Sequence, residues 1–365
     1  MSPSQTDLEA ALEWFWHPVC TEGELSASAG GVLGVQLLGR RLVVADLGGG
    51  AYACLADRCL HRSTRLSVGC VDRSAIRCAY HGWRWAADGR CVEIPAVPDA
   101  PVPSRARQDS FEVALRYGLV WVRLDGRAAT TIPAAPAWED PTLKVAVGTP
   151  YTWPTSAPRR VENFVDLAHF AWVHDGSLGR RDHPVPPVPV IRRTGGELRF
   201  EYLPAAVPDT AAEAMVGPSQ YRMPMPCTVD IAFELDGRPG VRRQLWMTAS
   251  PLDRGSCRCF WFIARSDGHD EDDGPHLEFQ ARILAEDEPV VCNQDPPELP
   301  LEAGSELSVR TDRVSIEYRR WLGELAAAGS PDRLAAVLGA APPAATGPAV
   351  PAARVVQAGT NTGTR

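Results

Sequence analysis

The rhythm of apolar and polar positions changes twice along the chain. Leu8, Leu12 and Phe15 recur at helical spacing, which predicts a short helical segment over residues 1–16. Short alternating runs broken by glycine follow: Gly31–Leu38, Arg41–Leu47, Ala51–Leu55 and Leu119–Val122. Gly48-Gly49-Gly50 marks a hairpin turn between two of them. Residues 17–125 therefore read as a small all-β domain. Residues 126–157 contain the Pro- and Ala-rich stretch Thr131–Ala137 and read as a linker. Beyond it the pattern predicts a helix over 158–174, then antiparallel strands over 188–265, such as Leu198–Tyr202, Val229–Phe233 and Gln244–Ala249. Helices follow around 276–287 and 305–327. Another is opened by Ser330 as cap with Pro331 at its first position, and closed by Gly339. Residues 158–340 thus form a second domain, and 341–365, rich in Ala, Pro, Gly and Thr, a disordered tail. The fold class is α+β.

Composition narrows the function. At 365 residues the chain is long enough for about two domains, each with its own core and no disulfide staple. A net charge of −8 speaks against nucleic acid or an anionic membrane as partner. No run approaches the roughly 18 apolar residues of a membrane-spanning helix. Met1–Leu12 carries Asp7 and Glu9 with no basic residue ahead of its apolar part, unlike a secretory leader, so a cytoplasmic protein is expected. In that compartment the ten cysteines are thiols available to metals.

Two groups of residues carry chemistry. The first is Cys59-Leu60-His61, followed after sixteen residues by Cys78-Ala79-Tyr80-His81. Two thiolates and two imidazoles suit zinc, or a [2Fe–2S] cluster with one iron on sulfur and the other on nitrogen. Zinc sites usually take their ligands as like pairs. Here each loop supplies one Cys and one His, so a Cys pair and a His pair can face opposite irons. The run through His81-Gly82-Trp83 resembles the Rieske domain of ring-hydroxylating oxygenases. Rieske proteins of respiratory complexes add a disulfide, but Thr64 and Tyr80 occupy those positions here, as in the oxygenase type. Leu60 and Ala79 stand where the family often has Pro, and Ser63 where it often has Gly. The other cysteines, including Cys257 and Cys259 on one strand face, read as buried apolar residues.

The second group is Asp166-x-x-His169-x-x-x-x-His174. Asp166 and His169 would share a helix face, and His174 can join His169 on one ion if the helix ends there, as Asp175-Gly176 suggests. Two imidazoles suit a 2-His-1-carboxylate iron(II) site with open positions for O2 and substrate. The pattern is similar to the catalytic domain of the same oxygenases, in which Asn163 and Asp166 match the pair preceding the iron histidines. The family takes its carboxylate from a distant helix, here Glu286-Asp287-Glu288. Helical geometry favours Asp287, on the face of Ile283 and Leu284. Glu286 falls beside Arg282 and reads as a surface ion pair. Asp295 is the alternative, but Pro296-Pro297 after it indicates a loop.

The resemblance spans roughly residues 14–325 and implies a terminal oxygenase. Electrons from NAD(P)H reach it through a separate flavin/iron–sulfur reductase, alone or together with a ferredoxin, since no G-x-G-x-x-G follows a strand here. They pass by way of the Rieske cluster to the mononuclear Fe(II), which uses O2 on a small, aromatic or heterocyclic organic substrate. The family's homotrimer would place Asp166 as a bridge between His81 of one chain and His169 of the next. Trp14-Phe15-Trp16-His17 resembles the family's entry segment, with His17 structural. The resemblance further implies a helix-grip catalytic domain, with Phe170, Met225, Trp246 and Phe262 as candidate pocket residues. One residue fewer between Glu162 and Asp166 than in naphthalene-type α subunits points to the α-only monooxygenases and demethylases. Cis-dihydroxylation or oxidative cyclisation is the alternative within the family. A pure electron carrier is the alternative outside it, and intact His169, His174 and Asp287 argue against that.

Overall fold

The computed structural model describes residues 4–202, 218–235, 238, 240–302 and 304–339. The expected tail 341–365 lies outside the described residues. The chain divides into two compact units: Glu13–Ile132, and the helix Gln5–Leu12 together with the described residues from Pro133 to Gly339.

In the first unit, a six-stranded antiparallel sheet runs in the order His17–Thr21, Leu119–Arg123, Ser110–Arg116, Ala51–Ala56, Arg40–Gly48, Val32–Leu37. A four-stranded sheet, Cys70–Asp72, Ala75–Arg77, Arg84–Trp85 and Cys91–Glu93, completes it. The strand Arg40–Gly48 explains why there are two cores. Its alternate side chains point to opposite faces. Val43 and Ala45 pack with Leu55, Ile76, Trp85, Cys59 and Cys78, whereas Leu42 and Val44 pack with Cys20, Cys54 and Val120. The turn Gly48-Gly49-Gly50 has positive φ at all three residues, the conformation glycine tolerates.

In the second unit the strands run in the order Lys144–Val147, Ser256–Arg265, Arg242–Asp253, Thr228–Glu234, Ser219–Pro224, Glu197–Tyr202, Arg192–Thr194, with Tyr151–Trp153 also on Ser256–Arg265. The helices Ala157–Val165 and Gly274–Val291 and the pair Arg313–Ala328 and Pro331–Val337 accompany this sheet. Gly329 ends the first of that pair in the left-handed region (φ 64°), and Ser330 Oγ caps the next by accepting from Arg333 N.

Several boundaries differ from expectation. The N-terminal helix is Gln5–Leu12 and belongs to the second unit, where Gln5 Nε2 donates to Leu299 O at 2.7 Å. Residues 126–157 are not a free linker. Ala128 and Thr130 carbonyls accept from Arg123 in the first unit, and two segments from 144 onward pair with the strand Ser256–Arg265. The helix expected over 158–174 breaks into Ala157–Val165 and Phe170–Val173. Asp166 ends the first piece with extended backbone (ψ 118°), and its Oδ1 accepts from Ala168 N at 2.9 Å. A side chain that satisfies a nearby backbone donor competes with the next helical turn.

Candidate functional site

In the first unit, one ligand loop follows the strand Ala51–Ala56 and the other joins Ala75–Arg77 to Arg84–Trp85. Each folds on its own backbone: Ser63 N donates to Cys59 O, and Cys78 N to Trp83 O. Ser63 sits at φ 58°, a left-handed position better suited to glycine, and its Oγ accepts from Arg58 Nε at 3.0 Å. Cys59 and Cys78 are buried in the core with their thiols facing one another. His61 is half-buried and His81 exposed, with ring centroids 4.4 Å apart. Trp83 stacks on His61 at 4.7 Å. His61 Nδ1 is buried without a partner among the described residues. Loss of solvation, then the nearby His81 and Arg62, lowers the His61 pKa and favours the neutral imidazole a metal needs. Two inward thiols, two outward imidazoles and an orphaned ring nitrogen fit a Rieske cluster, sulfur-bound iron inside and nitrogen-bound iron outside.

In the second unit, His169 precedes the short helix Phe170–Val173, His174 ends it, and Asp287 comes from the last turns of Gly274–Val291. Asp287 Oδ1 lies 3.4 Å from His169 Nε2 and 3.2 Å from His174 Nε2. One ligand atom from each residue lies within 4.8 Å of the others. Two imidazoles and one carboxylate, all inward-facing, form a donor set that could hold iron(II) with positions left open. Asp295, the alternative, is exposed and stands outside this group.

The surroundings hold two corrections. Glu286 is no mere surface ion pair: its Oε2 lies 2.8 Å from His174 Nδ1 and accepts from Ser177 Oγ at 3.1 Å. His174 is thus held between two carboxylates. Burial works against its charged form, but hydrogen bonds and charge from Asp287 and Glu286 raise its pKa above 6.5 in the metal-free protein. Asp287 is mostly desolvated, yet His174, Arg160 and His169 hold its pKa below the usual carboxylate value. Asp166, half-exposed, approaches His169 Nδ1 only to 3.8 Å, beyond a hydrogen bond. The helix ends at Val165, so Asp166 and His169 do not share a helix face, although the carboxylate still lies beside the ring. Asn163 Nδ2 donates to Asp287 Oδ1 at 3.3 Å, and Asn163 Oδ1 accepts from buried Arg160.

A cavity of about 20 Å³ adjoins the three ligand atoms, lined among others by Phe170, Leu178, Ile231, Leu245, Gln280 and Leu284. Of the four expected pocket residues only Phe170 lines it. Trp246 and Phe262 stack on each other at 5.2 Å, on the sheet face opposite Leu245, where Trp138 meets Phe262 edge-on. Met225 is buried at the turn before the strand Thr228–Glu234. Gln280 was not foreseen; its signal is a polar residue one turn before Ile283 and Leu284 on an otherwise apolar helix face.

These two donor sets, each on its own fold unit, suit an oxygenase in which an iron–sulfur centre would feed electrons to a mononuclear iron. The Rieske [2Fe-2S] domain family matches residues 15–106, and the vanillate O-demethylase oxygenase C-terminal domain family matches residues 153–328. The chain belongs to the Rieske non-haem iron oxygenases. It is 42% identical to methylxanthine N3-demethylase NdmB of Pseudomonas putida over 86% of this chain and 89% of that protein. It is 39% identical to methylxanthine N1-demethylase NdmA of the same organism over the same shares. The structure of Pseudomonas putida CBB5 NdmA with caffeine superposes with a TM-score of 0.86 at 36% identity, covering 94% of this chain and 100% of that one. Dicamba monooxygenase, at 20% identity and a TM-score of 0.73, shares the fold. The protein is therefore a terminal oxygenase component with a [2Fe–2S] Rieske cluster, a mononuclear iron and O2 as cosubstrate. No helix among the described residues is long and apolar enough to cross a membrane.

Proposed function

We propose that the protein is a cytoplasmic N-demethylase of small, planar N-methylated heterocycles, of which methylxanthines are the first class to test. The observation that carries this reading is the 42% identity, over most of both chains, to methylxanthine N3-demethylase NdmB. In the balanced reaction a ring N-methyl group, O2, NAD(P)H and one proton become a ring N–H, formaldehyde, water and NAD(P)+. A separate flavin/iron–sulfur reductase, alone or through a ferredoxin, supplies the electrons.

In this reading Cys59, Cys78, His61 and His81 hold the cluster, and His169, His174 and Asp287 hold the mononuclear iron. When bound, that iron supplies the site at which O2 is activated. Glu286 accepts the Nδ1–H of His174 and so fixes the tautomer whose Nε2 faces inward. Apolar Phe170, Leu178, Ile231 and Leu245 exclude water, while the Gln280 amide offers one donor and one acceptor edge to a heterocycle's carbonyl and ring nitrogen. A cavity of about 20 Å³ holds little more than a water, so a bicyclic substrate requires the lining side chains to move. In a homotrimer, Asp166 would join His169 to His81 of the neighbouring chain.

Incubation with a surrogate reductase, NADH and a panel of methylxanthines should release one formaldehyde per demethylated product. Ring-hydroxylated or dihydrodiol product without formaldehyde would refute N-demethylation and favour aromatic hydroxylation.

A further inference from the structure

Arg160 lies on the helix Ala157–Val165, one turn before Asn163, and its side chain is fully buried. A guanidinium taken out of water is costly unless its surroundings compensate it. Here Nε donates to Tyr151 Oη at 2.9 Å and Nη1 to Asn163 Oδ1. The group packs against the rings of Trp153 and Phe164, each centroid 4.5 Å away. Its anionic partner is Asp287, whose Oδ2 lies 3.6 Å from Nη1. The two oxygens of Asp287 are therefore divided. Oδ1 faces both imidazoles and the Asn163 amide, and Oδ2 faces the guanidinium.

We propose that Arg160 is a positioning residue that holds the Oδ2 side of Asp287, leaving Oδ1 beside the two imidazoles, and that its charge would bias a bound iron toward the ferrous state. The inference rests on His169, His174 and Asp287 being the iron ligands. A fixed positive charge in a poorly screened interior disfavours Fe(III) more than Fe(II). By drawing electron density toward Oδ2 it also weakens the carboxylate as a donor, which acts in the same direction. Arginine suits the task because it stays protonated even when buried. The iron is thereby kept reduced between turnovers, when O2 is present and substrate is not.

The test is a redox titration of the mononuclear iron in the full-length, cluster-loaded protein, following the high-spin ferric signal by electron paramagnetic resonance. In this couple one electron passes from Fe(II) to the titrant. Arg160→Met removes the charge while keeping an apolar stem between the rings, and should shift the midpoint potential down. Arg160→Lys keeps the charge and should stay closer to wild type. Cys259, whose thiol faces the same guanidinium, provides a second route that leaves every proposed iron ligand untouched. Cys259→Asp adds a compensating anion behind Arg160 and should also lower the potential, whereas Cys259→Ser should not. If Arg160→Met fails to fold, Cys259→Asp decides. Wild-type potential in the folded charge-removing or charge-compensating variant overturns the proposal. Asp287→Ala separates the two levels of inference. If it retains the ferric signal of the wild type, the iron-site assignment itself has failed. If it loses that signal while the Arg160 and Cys259 variants match wild type, only the role of Arg160 has failed.

Discussion

Glu286→Ala is the sharpest test of how the histidines proposed to bind iron are held, because helix periodicity and tertiary structure predict different outcomes. As a surface partner of Arg282, Glu286 would contribute no more than about 0.5 kcal/mol, and iron binding would not notice its loss. In the fold its carboxylate lies 2.8 Å from His174 Nδ1 and accepts from Ser177 Oγ as well. Outer carboxylates that orient a metal-bound imidazole typically govern affinity by about 10–100-fold, or roughly 1.4–2.7 kcal/mol. The Glu286 side chain is 30% exposed, so the lower half of that range is expected. Ferrous affinity measured anaerobically against a chromophoric chelator should fall by roughly 10–30-fold in Glu286→Ala and less in Glu286→Gln, whose carbonyl still accepts the Nδ1 proton. The visible spectrum of the Rieske cluster should not change. Equal iron affinity in wild type and Glu286→Ala would refute the argument and return Glu286 to the surface.

Four further outcomes are expected, the second of which tests the proposed bridge between chains. Metal analysis should find two irons with labile sulfide and one mononuclear iron per chain, and a ferrous chelator should remove the mononuclear iron first; stoichiometric zinc would contradict this. Asp166→Asn should retain all its iron and accept an electron into the cluster, yet stopped-flow absorbance should show the reduced cluster persisting with O2 and substrate; wild-type reoxidation would remove Asp166 from the electron path. Since contact with Asp287 and Glu286 raises the His174 pKa, protons should compete with ferrous iron for this ring from a higher pH than for a free imidazole, so affinity should weaken as pH falls through the raised value; a flat profile would oppose this. Leu245→Phe should alter substrate preference through KM, whereas Trp246→Phe should cost about 1–3 kcal/mol of stability in denaturant melts and leave preference intact; the reverse would invert the assignment of sheet faces.

What was legible in the sequence was whatever is local along it. The Cys59/His61 and Cys78/His81 loops are each closed by backbone hydrogen bonds a few residues long, so spacing alone carries their meaning. The alternation of the strand Arg40–Gly48 and the Ser330–Gly339 helix signals are local in the same sense. The pocket was not. Leu245, Trp246 and Met247 are all buried, because the strand Arg242–Asp253 is covered on both faces. An uninterrupted apolar run has no phase, so nothing in it says that Leu245 rather than Trp246 faces the histidines. The break at Asp166 was hidden differently. Apolar spacing continues across it, and the bond from Ala168 N to the Asp166 carboxylate, which competes with the next helical turn, has no signature in that spacing.

Glu286 and Asp287 show how two adjacent residues divide one task. Successive helix positions differ by about 100°, so neighbouring side chains cannot share a face. That argument correctly turned Asp287 inward with Ile283 and Leu284. It then left Glu286 facing outward only because no other element was visible in that direction. His174 fills that space: it ends its short helix with non-helical backbone (φ −106°, ψ 34°) and lies between the two carboxylates. An imidazole carries nitrogens on two edges. Asp287 meets Nε2 at 3.2 Å and Glu286 meets Nδ1 at 2.8 Å, so two consecutive acids on one helix grip opposite edges of one ring. With the Nδ1 proton held by the outer carboxylate, the neutral ring turns an unprotonated Nε2 to the inner edge, where a metal can take it. The exposed-looking acid thus fixes the tautomer, and the buried one is left to offer its charge to the iron proposed here.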